Sequence, residues 1–249
     1  MSMDRWFECC DEILARVRST QAHAIRRAAE MIAEAAQAGG GLHIYDTGHC
    51  QQEPLHRAGG LLMITPLRVS FSVDSRPARR RAAVVEQRQA GLRRRTDETA
   101  FDIAVERSGL APGDVLIVNS VSGKIASVVQ MALAAKRLGA QVVAITNVTY
   151  SQAVASEHSS GKHLYEVADV VIDNCGVVGD AVLDVAGVDT RAAPTSGVAF
   201  CYILWALVSE AIAQMLARGL KPHVYRSINL PDGEQFNARA EAEYRETGL

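Results

Sequence analysis

Apolar residues recur at three- and four-residue spacing from Asp4 to Ala38, through Trp6, Ile13, Leu14, Val17, Ile25, Ala28, Ala29 and Ile32. That period predicts one amphipathic helix or two, closed by Gly39-Gly40-Gly41. Beyond the glycines the pattern changes. Leu42–Asp46, Leu61–Thr65, Asp114–Val118, Gln141–Thr146 and Asp169–Asp173 are short runs rich in Val, Ile and Leu, several bounded by Gly, Pro, Asn or Asp. Helical stretches such as Ala126–Leu138 separate them. Strands apolar on both faces and alternating with helices predict a parallel sheet covered on both sides. Leu110-Ala-Pro-Gly-Asp114 and Lys136-Arg-Leu-Gly139 read as helix-to-strand joints, with Gly139 suited to a left-handed cap. Asp180–Ala193 predicts a hairpin or an irregular excursion, Thr195–Arg218 a long apolar helix stopped by Gly219, and Lys221–Leu249 a polar tail. No repeat, low-complexity tract or linker interrupts the chain. The expected organisation is one α/β domain over 1–249, with a helical arm (1–38), an αβα core (39–220) and a tail (221–249).

Composition narrows the class. At 249 residues, 48% hydrophobic and 22% charged, the chain is an ordinary globular one, which excludes a disordered or collagen-like polymer. Its 26 basic and 28 acidic residues give a net charge of −2, with no global field for nucleic acid or an anionic membrane. No recognition helix follows the N-terminal helices, so a DNA-binding head is not expected. The longest strongly apolar run, Val198–Val208, is eleven residues and suits a buried helix better than a membrane span. MSMDRWFECCDEI lacks the basic-then-apolar order of an export signal, and Cys9, Cys10, Cys50, Cys175 and Cys201 form an odd set without a CxxC pair. Free thiols in the cytoplasm are expected.

Chemistry concentrates where strands hand over to helices, the edge at which open parallel sheets collect ligands. Asp46-Thr47-Gly48-His49-Cys50 follows the first strand, and Asn119-Ser120-Val121-Ser122-Gly123-Lys124 follows the third. Small hydroxyl residues and glycine before a helix offer free N–H groups at the positive end of its dipole, as a phosphate requires. Either loop alone reads equally as ordinary helix capping. Neither is a Walker A loop or a GxGxxG fingerprint.

Ser120-x-Ser122-Gly123 and Gly48-His49, taken with Arg57-Ala-Gly-Gly-Leu61, the stretch from His158 to Asn174, Pro194-Thr195-Ser196 and a tail bearing Asn229, Gly233 and Asn237, resemble the SIS (sugar isomerase) domain. The resemblance covers about Gly41 to the C-terminus and is closest to the stand-alone phosphosugar-binding subgroup. It implies a doubly wound, five-stranded parallel sheet in a three-layer αβα sandwich that forms a homodimer or homotetramer, with a small sugar phosphate as ligand. No redox cofactor is implied, because an aldose–ketose shift through an enediol is internally balanced. Thr47, Gly48, His49, Ser120, Ser122, Gly123, Lys124, Thr195 and Ser196 would hold the ligand. Glu53, four residues before Arg57, matches the family's proton-transfer base at a helix start, with His56 or His158 assisting. A phosphosugar lyase, or a binding module without catalysis, is the alternative.

The chain departs from the pattern in three places. Cys50 stands where the family carries serine, Ile125 where it carries Asn, Ser or Thr, and the segment from His49 to Arg57 is a few residues shorter. Lys124 would supply a charge in place of the lost donor. His43, His49, Cys50 and His56 match no familiar zinc spacing, so no metal is expected. The eight arginines at 76, 79, 80, 81, 88, 93, 94 and 95 read as a solvated face or a cover over an anionic substrate, without the interleaved aromatics of a nucleic-acid surface.

Overall fold

The computed structural model describes residues 2–50, 53–72, 78–89 and 92–249, the side chains of 92–96 excepted. Strands β1 (Leu42–Asp46), β2 (Ile64–Pro66), β3 (Val115–Asn119), β4 (Gln141–Thr146) and β5 (Val170–Asp173) form one parallel sheet in the order β2-β1-β3-β4-β5. Ile44, Ile117, Val143 and Ile172 point to one face and Leu116, Val118, Val142 and Ala144 to the other, which is why the strands read as near-continuous apolar runs. The order reverses between β1 and β3. At that point Asp46 and Asn119 stand side by side in the ladder.

The first face is covered by α2 (Ala22–Gln37) and α8 (Ser196–Ala217), with α1 (Ser2–Thr20) packed on α8. The N-terminal arm is thus two helices, and the second is a full layer of the core. Its Ala28, Ala29 and Ala33 are wholly buried, and such small side chains let α2 lie close against α8. The α8 helix is 22 residues long and apolar enough by length and composition to cross a membrane. Here it buries Phe200, Ile203, Leu204, Leu207 and Val208 in the core, each worth about 1.5–3 kcal/mol. On the second face lie α4 (Leu92–Glu106), α5 (Ala126–Leu138) and the single turn α7 (Leu164–Val167). Gly139 caps α5 in the left-handed region, as expected.

Two elements, the second strand and the tail, differ from the sequence reading, and one left open between two forms is settled. The second strand begins at Ile64, not Leu61, because Leu61 and Leu62 pair instead with Val224 and His223. The stretch Asp180–Ala193 resolves into a small antiparallel hairpin, β6 (Ala181–Leu183) with β7 (Ala192–Pro194). The polar tail carries a helix, α9 (Gly233–Thr247), which buries only Gly233, Asn237 and Ala240 and so shows no apolar period. Of the arginine run, Arg79, Arg80 and Arg81 form an exposed 3-10 turn before α3 (Ala82–Gln89), which carries Arg88 and buries nothing. Arg76 lies outside the described residues, and so do the side chains of Arg93, Arg94 and Arg95.

Candidate functional site

The loop after β1 is held by its own first residue. Asp46 accepts the N–H of His49 at 3.3 Å and of Cys50 at 2.9 Å, so one carboxylate closes the turn. Thr47 donates its hydroxyl to the Asn119 carbonyl at 3.2 Å, which ties this loop to the end of β3. Beneath them Asn119 is fully buried; its Nδ2 donates to Cys50 Sγ at 3.2 Å and its Oδ1 has no partner among the described residues. Burial holds the Cys50 thiol well above its ordinary range, with the Asp46 charge adding to the effect. Cys50 is therefore a neutral packing residue, not a hydroxyl-like ligand.

The loop after β3 has its carbonyls spent and its amides free. The carbonyl of Val121 accepts from Asn147 N–H and the Thr146 hydroxyl, and that of Ser122 from the Ser151 hydroxyl. Those of Gly123 and Lys124 accept from Leu164 and Glu157. In contrast, the N–H groups from Ser122 to Ser127 donate to no acceptor among the described residues. Gly123 sits at φ 58°, where a Cβ would meet Thr146 Oγ1 at 3.0 Å and Ser151 Oγ at 3.1 Å. Only glycine lets the loop lie that close to the end of β4. Ile125 is the N-cap of α5 and offers no side-chain cap, so the open amides coincide with the positive end of a 13-residue helix.

A cleft of about 570 Å³ opens beside this helix terminus, with Asp46, Thr47, Arg68, Asp97, Phe101 and Ser127 among its walls. Tyr45 lines the cleft as well, and burial pushes its phenol up to about 12, so it stays neutral. Arg68 is the exposed cation of the cleft. Lys124 is not free for that task, since its ammonium is 2.8 Å from Glu157, whose charge raises the lysine above its ordinary range.

A third helix terminus, that of α8, is already occupied by the protein's own carboxylate. Asp180 Oδ1 accepts the N–H of Thr195 at 3.3 Å and of Ser196 at 2.9 Å, and Oδ2 accepts the Ser196 hydroxyl at 2.6 Å. Ser196 Oγ also lies 3.3 Å from His49 Nδ1. Thr195, 1% exposed, is left with an unpartnered hydroxyl.

A sequence profile of the SIS domain matches residues 5–147. The chain belongs to the SIS-domain family. The UPF0309 protein of Streptomyces griseus is 33% identical over 97% of this chain and 94% of its own length. That of Geobacillus kaustophilus is 34% identical over 98% and 94%. Among solved structures, phosphoheptose isomerases from Neisseria gonorrhoeae (TM-score 0.52, 16% identity, 85% of this chain and 96% of that one) and Francisella tularensis (0.52, 15%, 86% and 99%) share the fold.

Several of the SIS-like stretches prove to be structural. Arg57-Ala-Gly-Gly-Leu61 pairs with the segment around Tyr225, through Gly59 N–H to the Tyr225 carbonyl and Tyr225 N–H to that of Gly60. Asn237 brackets Arg226, accepting its N–H and donating to its carbonyl, both at 2.8 Å. His158 is buried, with Nδ1 accepting from Ser160 and Nε2 donating to Gln130 Oε1 at 2.7 Å. His56 sits on an exposed turn against the Tyr225 hydroxyl at 2.8 Å. Glu53 lies in a turn ahead of Pro54, not at a helix start. One of its oxygens meets Arg57 at 2.6 Å and the other accepts from Trp205 Nε1 at 3.1 Å.

The sequence reading assigned Thr47, Gly48, His49, Ser120, Ser122, Gly123, Lys124, Thr195 and Ser196 to one ligand site; in the structure Thr47, Ser122 and Gly123 lie in the loops at the β1–β3 switch, and His49 meets Ser196 beside Thr195 at the α8 terminus. It missed Asp46, Arg68, Ser127 and Asp180. Asp46 carried a signal, being an Asp two residues before a glycine at a strand end. Among the described residues no three His, Cys, Asp or Glu side chains gather as a metal site.

Proposed function

We propose that this chain is a sugar-phosphate isomerase that interconverts an aldose and a ketose through an enediol, working in the cytoplasm as a homodimer or homotetramer. The observation that carries the reading is the run of N–H groups from Ser122 to Ser127 without an acceptor among the described residues, at the α5 N-terminus, where Ile125 and Ser127 line the cleft at the β1–β3 switch. That arrangement is a receptor for a phosphate. Thr47, Ser127 and Arg68 add two hydroxyls and a cation beside it. The phosphoheptose isomerases that share the fold support the sugar phosphate as ligand. Ser120, buried with its N–H on the Ile145 carbonyl, and Lys124, tied to Glu157, build the loop in this reading and do not touch the anion.

The test is proton NMR in deuterated water with sugar phosphates of different chain lengths. Isomerisation removes the C1 or C2 proton signal of one of them at a protein-dependent rate. A second reading, a binding module without catalysis, is favoured by Glu53, whose two oxygens are engaged by Arg57 and Trp205. It predicts line broadening without exchange. A panel that neither exchanges nor broadens refutes both. Elimination of a C3 substituent after the same proton abstraction would show as a new product, and would make the chain a lyase.

A further inference from the structure

An isomerase needs a group with a free lone pair to carry a proton between adjacent carbons. Of the three side chains that the sequence offers, Glu53 is engaged at both oxygens by Arg57 and Trp205 and His158 at both ring nitrogens by Ser160 and Gln130, while His56 bonds Tyr225 through Nδ1 on an exposed turn against the 223–226 segment, away from the β1 and β3 loops. His49 is different. We propose that His49 is the proton-transfer residue, held with Nε2 unprotonated by a relay through Ser196 to Asp180; the proposal rests on the isomerase reading above.

The tautomer follows from counting hydrogens. Asp180, as a carboxylate, only accepts, and it takes the single hydroxyl hydrogen of Ser196 at 2.6 Å. Toward His49 Nδ1, at 3.3 Å, Ser196 Oγ can therefore only accept. The ring proton must lie on Nδ1, which leaves the Nε2 lone pair available. The ring is steadied against Phe200, with centroids 5.2 Å apart, and His49 is part-exposed two residues beyond Thr47 in the cleft wall. When the imidazole takes up a proton, the Asp180 charge at the far end of the relay stabilises the cation.

The backbone that delivers Asp180 supports a role beyond helix capping. Cys175, Asp180 and Ala193 all have positive φ, at 56°, 68° and 61°. Such residues cost about 1–3 kcal/mol each and persist where the surroundings over-determine them, as at functional sites. Thr195 at the α8 N-cap carries a buried hydroxyl that could cap the helix locally, yet the structure leaves it unused and brings in a carboxylate from 15 residues away.

In the reaction, His49 Nε2 takes the C2 proton of the open-chain aldose. The C–H electron pair becomes the C1=C2 bond of the enediol, the carbonyl π pair moves onto O1, and O1 takes a proton from solvent water. As O2 returns its own proton to water and the C2=O2 bond forms, the C1=C2 pair takes the imidazolium proton at C1 and the ketose results.

Two measurements test this. Ring-nitrogen NMR on the ¹⁵N-histidine-labelled chain reads the tautomer directly. His49 is expected protonated at Nδ1 in the wild type and shifted toward Nε2–H in Ser196→Ala, with Ser196→Thr restoring the wild-type pattern. Finding Nε2–H in the wild type overturns the relay. Deuterium exchange on the sugar phosphate turned over by the wild type reads the chemistry. His49→Gln should slow it at least about 100-fold. Asp180→Asn and Ser196→Ala should slow it about tenfold, each with ligand affinity within a few-fold of wild type. If the wild type exchanges and these variants exchange as fast, with only thermal stability reduced, Asp180 is a helix cap alone and the proposal fails while the isomerase reading stands. If the wild type exchanges nothing, both fall together.

Discussion

Single residues decide how tightly the site edges are built, and two of them make measurable predictions. Gly233 opens α9 where a Cβ would overlap the Ser227 carbonyl oxygen. Neither atom belongs to a side chain that can swing away, so Gly233→Ala must displace the 226–228 segment that Asn237 brackets. A loss of about 1–3 kcal/mol in urea unfolding is expected. Cys50 makes a prediction about pH. Burial raises its thiol in the native state above the ordinary value of 9.0, while the unfolded chain titrates there. The sign is that of a raised folded pKa: Cys50 contributes nothing to pH dependence below about 9, and native stability falls as pH rises beyond it, because only the unfolded chain ionises. Cys10, Cys175 and Cys201 are raised by burial in the same direction. Between pH 8 and pH 10.5 the unfolding free energy should drop, and Cys50→Ser should make the drop smaller. An unchanged slope in that variant would show that the thiol is solvated in the native protein.

Elements were legible in proportion to how strongly burial patterned them. The strands β1 and β4 were readable to the residue because their side chains are apolar on both faces and bounded by turn residues. The α5 and α8 helices were readable because a sustained apolar run ends in each at a left-handed glycine, Gly139 and Gly219. By contrast α9 stayed hidden, since it docks through a glycine, an asparagine and an alanine and its remaining residues are charged or polar. The second strand was misplaced because Leu61 and Leu62 are as apolar as strand residues yet bond to a distant segment. At this scale the arginine turn makes its own prediction. Arg68 and Asp97 both line the cleft, and the segment between them in sequence carries Arg79, Arg80 and Arg81, all exposed. If this turn covers an anionic substrate, the triple change to alanine should weaken sugar-phosphate binding several-fold. The effect should shrink with salt, since exposed charges act through a screened field. Affinity unchanged at low salt would leave the turn as a solvated face.

For the whole molecule, the sequence pointed to the strand-to-helix edge of the sheet but not to how the loops there are tied together. The reason is separation along the chain. His49 and Ser196 meet across 147 residues, and Asp180 joins them only because three left-handed residues bend the crossover around the α8 terminus. No local pattern records such a meeting. The proposed anion site, in contrast, is local, since the amides from Ser122 to Ser127 are consecutive. It can therefore be tested without touching a charged side chain. Ala126 is the first residue of α5, and Ile125 before it has φ −69° and ψ 135°, a conformation that a following proline favours. Ala126→Pro deletes one free N–H while leaving the helix start in place. A sugar phosphate at about 100 times its Kd should stabilise the wild type by about 2.7 kcal/mol. For a chain of this size that raises the unfolding midpoint by about 5–11 °C. In the proline variant the unliganded midpoint should hold or rise slightly, because the unfolded chain loses freedom. Affinity should fall about tenfold, and with it part of the ligand-induced shift, as expected for one charge-assisted hydrogen bond. A full ligand-induced shift in a stably folded Ala126→Pro chain would place the phosphate elsewhere on the sheet edge, and the α5 terminus would then be a helix start with no ligand to hold.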